Sequence, residues 1–433
     1  MTQAATNPGP SMPAANDAPV VRDPKLASHP ALRADNITLP KGATNGLSGF
    51  FIAIGVVALL ITVLGGFAVS AKQAVGALHV GTMTALAASL GSLIFIMVFH
   101  IVNAGWTATV RRQFENIAAG IVVPIGFLIL FMIIEFAGGG VLVQWIGLSY
   151  GDDYLLDKKS AFLNEPFWII RGFCYMGLWA FIILTLRGWS LRQDDSGDPA
   201  LTRKARFLSG WGLLALALTT AFASFDWLMA LDFRFFSTMW GVWYFAGAAT
   251  TAFSCVILIL SVLYGTGRLQ TCITKEHFHD LGKLLFGFTI FWAYISFSQY
   301  FLIWYSNIPE ETIYFAIRQE DGWEAMFAFL AIGHFVAPFL ILLIRVVKES
   351  AIGLSIAAAW MILMQVVDLA YVVRPLATQG SEGGAMTLWL DFAGAAAVLF
   401  IFAGVVIMRV GSSPLVAVND PRMGEALAHK NYV

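Results

Sequence analysis

Ten apolar runs, each nearly free of charge, divide this chain, and they constrain its fold more than any other feature. They cover approximately 46–69, 78–103, 117–136, 164–187, 207–231, 235–264, 281–306, 322–347, 351–374 and 385–410. Most reach the ~20 residues a helix needs to cross a bilayer. Hydrocarbon offers no hydrogen-bond partners, so runs of this length in lipid must be helices. Only 12% of the 433 residues are charged, against about 25% in soluble domains, and the mean hydropathy is +0.74. The expected fold class is an all-α integral membrane protein with ten transmembrane helices. Spans 2–5 and 6–9 can each form a four-helix bundle, with spans 1 and 10 as flanking helices.

The membrane domain is expected over 46–410. Residues 1–45 are rich in Ala, Pro and Asn and read as a disordered N-terminal tail. Residues 411–433 read as a C-terminal tail. Most Lys and Arg fall on the side of the two termini, including Arg111, Arg112, Arg187 and Arg206. The positive-inside rule then puts both termini in the cytoplasm. Acidic pairs such as Asp152/Asp153 and Glu310/Glu311 fall outside. A net charge of −1 leaves no electrostatic footprint for nucleic acid. The three cysteines, Cys174, Cys255 and Cys272, lie far apart and form no CxxC, CxxCH or ferredoxin spacing. No cofactor is therefore expected in this chain. A b-type haem would need two histidines at matched depth, and His277 and His279 sit too near the boundary to pair with His100.

Polar groups inside the spans carry the functional reading, because such groups in lipid need partners. Thr82, Ser89, Ser92, His100 and Asn103 form one stripe on span 2. Small residues for close packing explain the Ser and Thr better than they explain His100 and Asn103. Arg171 lies roughly 10 Å deep in span 4, where a charge costs about 2.5–3.5 kcal/mol. It should face an acid: Asp226, Asp368 or Asp391. That pairing would be either a structural salt bridge or a station on a proton path. His334 has Pro338 four residues on. Proline lacks an N–H, so the His334 carbonyl is expected to lose its helical donor beside a titratable ring. Pro124 should only kink span 3. Span 7 shows Thr289, Trp292, Ser296, Gln299 and Tyr300 on one face and Lys283, Tyr294, Ser298 and Tyr305 on roughly the opposite one, as expected of a central helix. Sorted by depth, His100, His279, Asp280 and Lys283 lie at the cytoplasmic end. Arg171, Asp226, Asp368 and Asp391 lie in the outer half with Glu135, Glu165 and Glu324, and His334 lies between. Two half-channels meeting at a central residue would need such an order.

Two stretches resemble a known family: SFDWLMALDFRFFSTMWGVWYFAG (Ser224 to Gly247) and HFHDLGKLLFGFTIFWAYISFSQYFLIWYSNIPEET (His277 to Thr312). They are similar to the NrfD-like (polysulfide-reductase-type) membrane subunits of bacterial alternative complex III, and most to the second of the two. The resemblance covers spans 5–8. After Leu231-Asp232 the family pattern has a Pro-His-Trp-like run, where this chain has Phe233, Arg234 and Phe235. The resemblance implies two four-helix bundles in the bacterial inner membrane. It implies a respiratory quinol:electron-acceptor oxidoreductase complex whose haem c and iron–sulfur clusters sit in partner subunits. Those partners are a multihaem cytochrome c subunit, an iron–sulfur subunit, a first NrfD-like subunit and small membrane anchors, with a terminal oxidase as a further associate. This chain would be a scaffold and proton-conducting subunit, not catalytic alone. A second reading has it bind quinol through Asp226, Trp227, Trp240 and Tyr244. A third, a secondary transporter, requires paired broken helices. Pro124 and Pro338 are not at matching positions in the two bundles.

Overall fold

The computed structural model describes residues 20–149, 151, 153–320, 322–378 and 384–431. Ten helices among them are long and apolar enough to cross a membrane: α1 Asn45–Ala68, α2 Ala71–Ile101, α3 Arg111–Gly138, α4 Glu165–Ser196, α5 Pro199–Trp227, α6 Trp240–Gly265, α7 Lys275–Ser306, α8 Trp323–Leu343, α9 Ala351–Ala377 and α10 Leu388–Gly411. The chain is an all-α, multi-pass membrane protein. An even number of crossings puts both ends of the bundle on one side, here called the terminal face. The other side is the far face.

The helices α2–α5 pack as one four-helix group and α6–α9 as a second. Helix α1 lies on α10, and α10 on α2. Helix α2 also meets α6 and α9, so it forms the seam between the groups and is buried on nearly every side. Its sequence allows this because small residues let backbones approach closely. The tightest approach is at Gly91, where an added Cβ would sit 2.2 Å from the Ala248 carbonyl oxygen of α6. Gly91→Val should therefore force α2 and α6 apart and cost roughly 1–3 kcal/mol or more. The check is its unfolding midpoint in mixed micelles, with Gly126→Val as control, since nothing lies within 4 Å of a Cβ there. The stripe on α2 divides as its chemistry suggested. Thr82 and Ser89 donate to the carbonyls four residues back, Leu78 and Ala85.

Neither terminal segment is a free tail where it is described. Residues 1–19 lie outside the described part of the expected disordered segment. Beyond them Ala31, Leu32 and Ile37 are buried. The Asn36 carbonyl accepts from Leu269 N–H at 3.2 Å, and the Ile37 carbonyl from Leu415 N–H at 2.8 Å. The last stretch buries Leu415, Val416, Val418 and Met423. The composition is too polar for a core of its own. Main-chain hydrogen bonds and a few apolar anchors suffice once other segments supply the wall.

Under these two segments lies a buried ionic layer. Arg111 pairs with Asp420 at 2.7 Å and Glu115 at 3.3 Å. Arg112 pairs with Glu115 at 3.2 Å and Asp194 at 2.5 Å. Arg422 donates to the Asn103 side chain at 2.7 Å, which explains that position. Burial alone would raise the Asp420 carboxyl, but Arg111 and Arg422 outweigh it and hold it below its ordinary 3.8. A depressed carboxylate stabilises the fold above its unfolded value and loses that effect as pH falls through the folded one. Limited proteolysis should thus begin to cut the 412–431 segment below about pH 4. Asp420→Asn should be cut there at pH 7.

Candidate functional site

The polar residues of the far half do not converge on one station. Arg171 of α4 grips Asp226 of α5 with two parallel bonds, Nη2–Oδ1 at 2.5 Å and Nε–Oδ2 at 3.0 Å. Tyr175 donates to the same carboxylate at 3.1 Å, and Arg171 donates to the Phe162 carbonyl at 2.9 Å. The rings of Phe162 and Phe167 lie 3.9 and 4.2 Å from the guanidinium carbon. This fork-on-fork pair, with its remaining hydrogen bonds made, locks α4 to α5. Asp391 of α10 takes Arg374 at 2.7 Å and Gln73 at 2.9 Å, tying α10 to α9 and α2. Glu135 accepts from the N–H groups of Leu142 and Val143 at 3.0 Å and so folds the loop after α3. Glu165 and Glu324 sit in the first turns of α4 and α8, where the helix dipole favours an anion.

Asp368 differs. Its Oδ2 accepts from the indole N–H of Trp292 at 2.9 Å, and among the described residues it has no cationic partner. The Trp292 ring stacks on His334, with centroids 3.8 Å apart and planes 27° from parallel. His334 is fully buried, and among the described residues neither ring nitrogen has a hydrogen-bond partner. Buried polar groups normally find partners, so this exception asks for a reason.

The local backbone here follows from Pro338. Residues Ala331–Val336 form a π-turn, and the Ala337 N–H bonds to the Ile332 carbonyl, five residues back. In that register proline deprives Gly333, not His334, of a donor. The indole N–H of Trp360 in α9 donates to the Gly333 carbonyl at 2.7 Å. The expected free carbonyl at His334 is thus displaced by one residue and capped. The extra residue of the π-turn is what the sequence pattern could not show.

Trp292 and Asp368 line a cavity of about 420 Å³ inside the second helix group. Ser296, Gln299 and Tyr300 of α7 line it too, so the polar face expected on span 7 is its wall. Thr289, on the same face, is buried and donates to the Leu285 carbonyl. Of the four residues expected to bind quinol, only Trp240 is in the lining. Asp226 and Trp227 are closed inside the first group against Arg171, Tyr175 and Trp179. The Tyr244 hydroxyl donates to the Met83 carbonyl at 2.8 Å. Among the described residues the acid that faces this cavity is Asp368.

At the terminal face, Asp280 holds Lys283 at 2.6 Å, His429 at 2.5 Å and Asn431 at 3.1 Å. His429 and Asn431 belong to the C-terminal segment and carried no sequence signal. His279 is largely buried, and among the described residues its Nδ1 has no partner. His100 is buried with a free Nδ1, in the field of Arg111, Asp420, Arg422 and Arg206. His277 caps its own helix through Thr274. One buried histidine, His79 of α2, escaped the sequence reading altogether. Its Nε2 is 2.6 Å from the Trp227 carbonyl, and its ring stacks on Phe131. That carbonyl belongs to the last turn of α5, where helical donors run out, so His79 serves as a cap.

Among the described residues no group of three His, Cys, Asp or Glu is arranged to hold a metal ion. No protein-family model matches this chain. No curated protein matches it either.

Proposed function

We propose that this chain is an integral-membrane subunit of a respiratory quinol:electron-acceptor oxidoreductase of the alternative complex III type, and that it carries protons for that complex. Two things support the complex: the resemblance of Ser224–Gly247 and His277–Thr312 to the second NrfD-like subunit, and the division into two four-helix groups with flanking helices. The positive residues on the terminal face support a cytoplasmic location for both ends, in a bacterial inner membrane. Haem c and iron–sulfur clusters would sit in a multihaem cytochrome c subunit and an iron–sulfur subunit on the far, periplasmic face.

The observation that carries the proton role is the contact chain Asp368–Trp292–His334. A carboxyl with one hydrogen bond and an imidazole with none touch the same indole at the cavity wall. Oxidation of a quinol to a quinone releases two electrons and two protons. The electrons go to the clusters and haems of the partners. The protons need a titratable acceptor close to the ring, and among the described residues Asp368 is the acid lining this cavity. His334 lies behind it, toward the Asp280 and His279 end of α7. A secondary transporter is less well supported, because broken α8 has an unbroken counterpart in α4, Glu165–Ser196.

The experiment is purification from native membranes through a tag on this chain. The product should contain c-type haem that added quinol reduces. A chain recovered without any quinol-reducible haem overturns the reading.

A further inference from the structure

The geometry points to a binding site in this chain for the hydroxylated ring of a lipid-soluble quinol, in the cavity between α6, α7, α8, α9 and the short helix Pro309–Ala316. The site rests on the functional reading above, and it differs from the expected Asp226–Tyr244 location.

Size and wall chemistry come first. About 420 Å³ falls within the roughly 300–1,000 Å³ typical of ligand pockets. The wall is built largely of flat rings, among them Trp240, Trp243, Tyr314, Phe327 and Tyr371. Offset stacking of rings is favourable, so such a wall prefers a planar guest over a flexible acyl tail.

Access comes next. Helix α7 packs on Ala337–Leu343 and on the π-turn of α8 but scarcely on Trp323–Leu330. The two helices therefore part toward the far face. The residues at the gap, Tyr294, Phe297, Ala331 and Val336, are exposed on the outside of a membrane helix. A guest enters sideways from the lipid.

The floor then selects the guest's chemistry. Asp368 uses Oδ2 for Trp292, while Oδ1 has no hydrogen-bond partner among the described residues. A carboxyl group at the end of an apolar cavity needs a donor. A quinol hydroxyl is one, and a hydrocarbon tail is not. Trp292 lines the cavity and has His334 stacked against it, so the hydroxyl's proton has a second titratable group within one ring of the floor.

The roof is fixed rather than loose. The short helix sits between two left-handed residues, Asn307 and Gly322. It brings Tyr314 and Phe315 over the cavity. Arg318, fully buried, fastens it. Its Nε donates at 3.0 Å to the Tyr371 carbonyl, which Pro375 deprives of a helical donor. Its Nη2 donates to the Val372 carbonyl at 2.7 Å, and its guanidinium lies 3.6 Å over the Tyr314 ring. Burial pushes the Tyr314 hydroxyl up to about 12, so Tyr314 stays a neutral phenol in the cavity roof.

The test is photolabelling of the intact complex in native-lipid nanodiscs with a radioactive azidoquinol, the reduced form that carries the donating hydroxyls. Label is expected within 292–300 or 368–372, displaced by excess unlabelled quinol. Ala293→Phe, which fills the cavity, and Asp368→Asn, which keeps an acceptor for Trp292 but not the charge, should each cut labelling about 10-fold while the complex still assembles. Label confined to other subunits, label unaffected by Ala293→Phe, or a phospholipid tail that quinol does not displace would each overturn the site. Any of these three outcomes in a complex that still oxidises quinol overturns the site and leaves the functional reading standing. A complex with no quinol oxidation at all overturns the functional reading instead.

Discussion

Arg171→Ala should be the most destabilising single change in the membrane domain, costing about 3–5 kcal/mol. It would strand Asp226, whose side chain is 1% exposed, without its two short guanidinium bonds. Tyr175 alone cannot replace them. The measurement is the unfolding midpoint in mixed micelles. Arg171→Met with Asp226→Leu should recover most of the loss, because removing both charges together removes the stranded one. If the single and double variants are equally unstable, packing around Phe162 and Phe167 matters more than the pair. If both fold normally and only proton transfer fails, the pair is a proton station after all.

His334→Phe should move stability and activity in opposite directions. Phenylalanine keeps a ring against Trp292 and removes two buried nitrogens that have no partner. Leaving such groups unsatisfied costs about 1–3 kcal/mol each, so the variant should unfold later than the parent. Its quinol-linked proton release should fall by about 100-fold, the lower end of what one positioned acid or base contributes. Such a trade is typical of a group retained for function against stability. Proton release and membrane potential equal to the parent's would remove His334 from the relay. Later unfolding with full activity would leave only an unexplained buried imidazole.

The helices were legible in the sequence. The expected run 46–69 is α1, Asn45–Ala68, and 351–374 is α9, Ala351–Ala377. Hydropathy over ~20 residues is a local quantity, and the bilayer imposes the same length on every span. Short polar extensions, such as Arg111–Ala118 before the apolar part of α3, were missed because they lie outside hydrocarbon but inside the protein. The terminal segments were misjudged for the same reason. Their few apolar residues, Leu32, Ile37 and Leu415, are buried against other segments and not against each other.

The candidate site was legible residue by residue and not as a site. Depth along a helix can be counted from sequence, at 1.5 Å per residue. That count placed Arg171, Asp226, Asp368 and Asp391 in one half and His334 near the middle. Rotation about the helix axis and the choice of neighbour cannot be counted. The fold gave Asp226 to Arg171 and Asp391 to Arg374, and it left Asp368 to a tryptophan. It set Trp292 between an acid and an imidazole that are 34 residues apart. It also turned the proline rule at Pro338 by one position through a π-turn, a register that no pattern of residue types specifies. From the sequence alone came the solvent, the number of crossings, their depths and the groups too polar for lipid, because each depends on a residue and its near neighbours. The tertiary structure decided which of those groups satisfy one another and which are left facing a cavity, because hydrogen bonds and ion pairs form across a few ångströms between helices far apart in the chain.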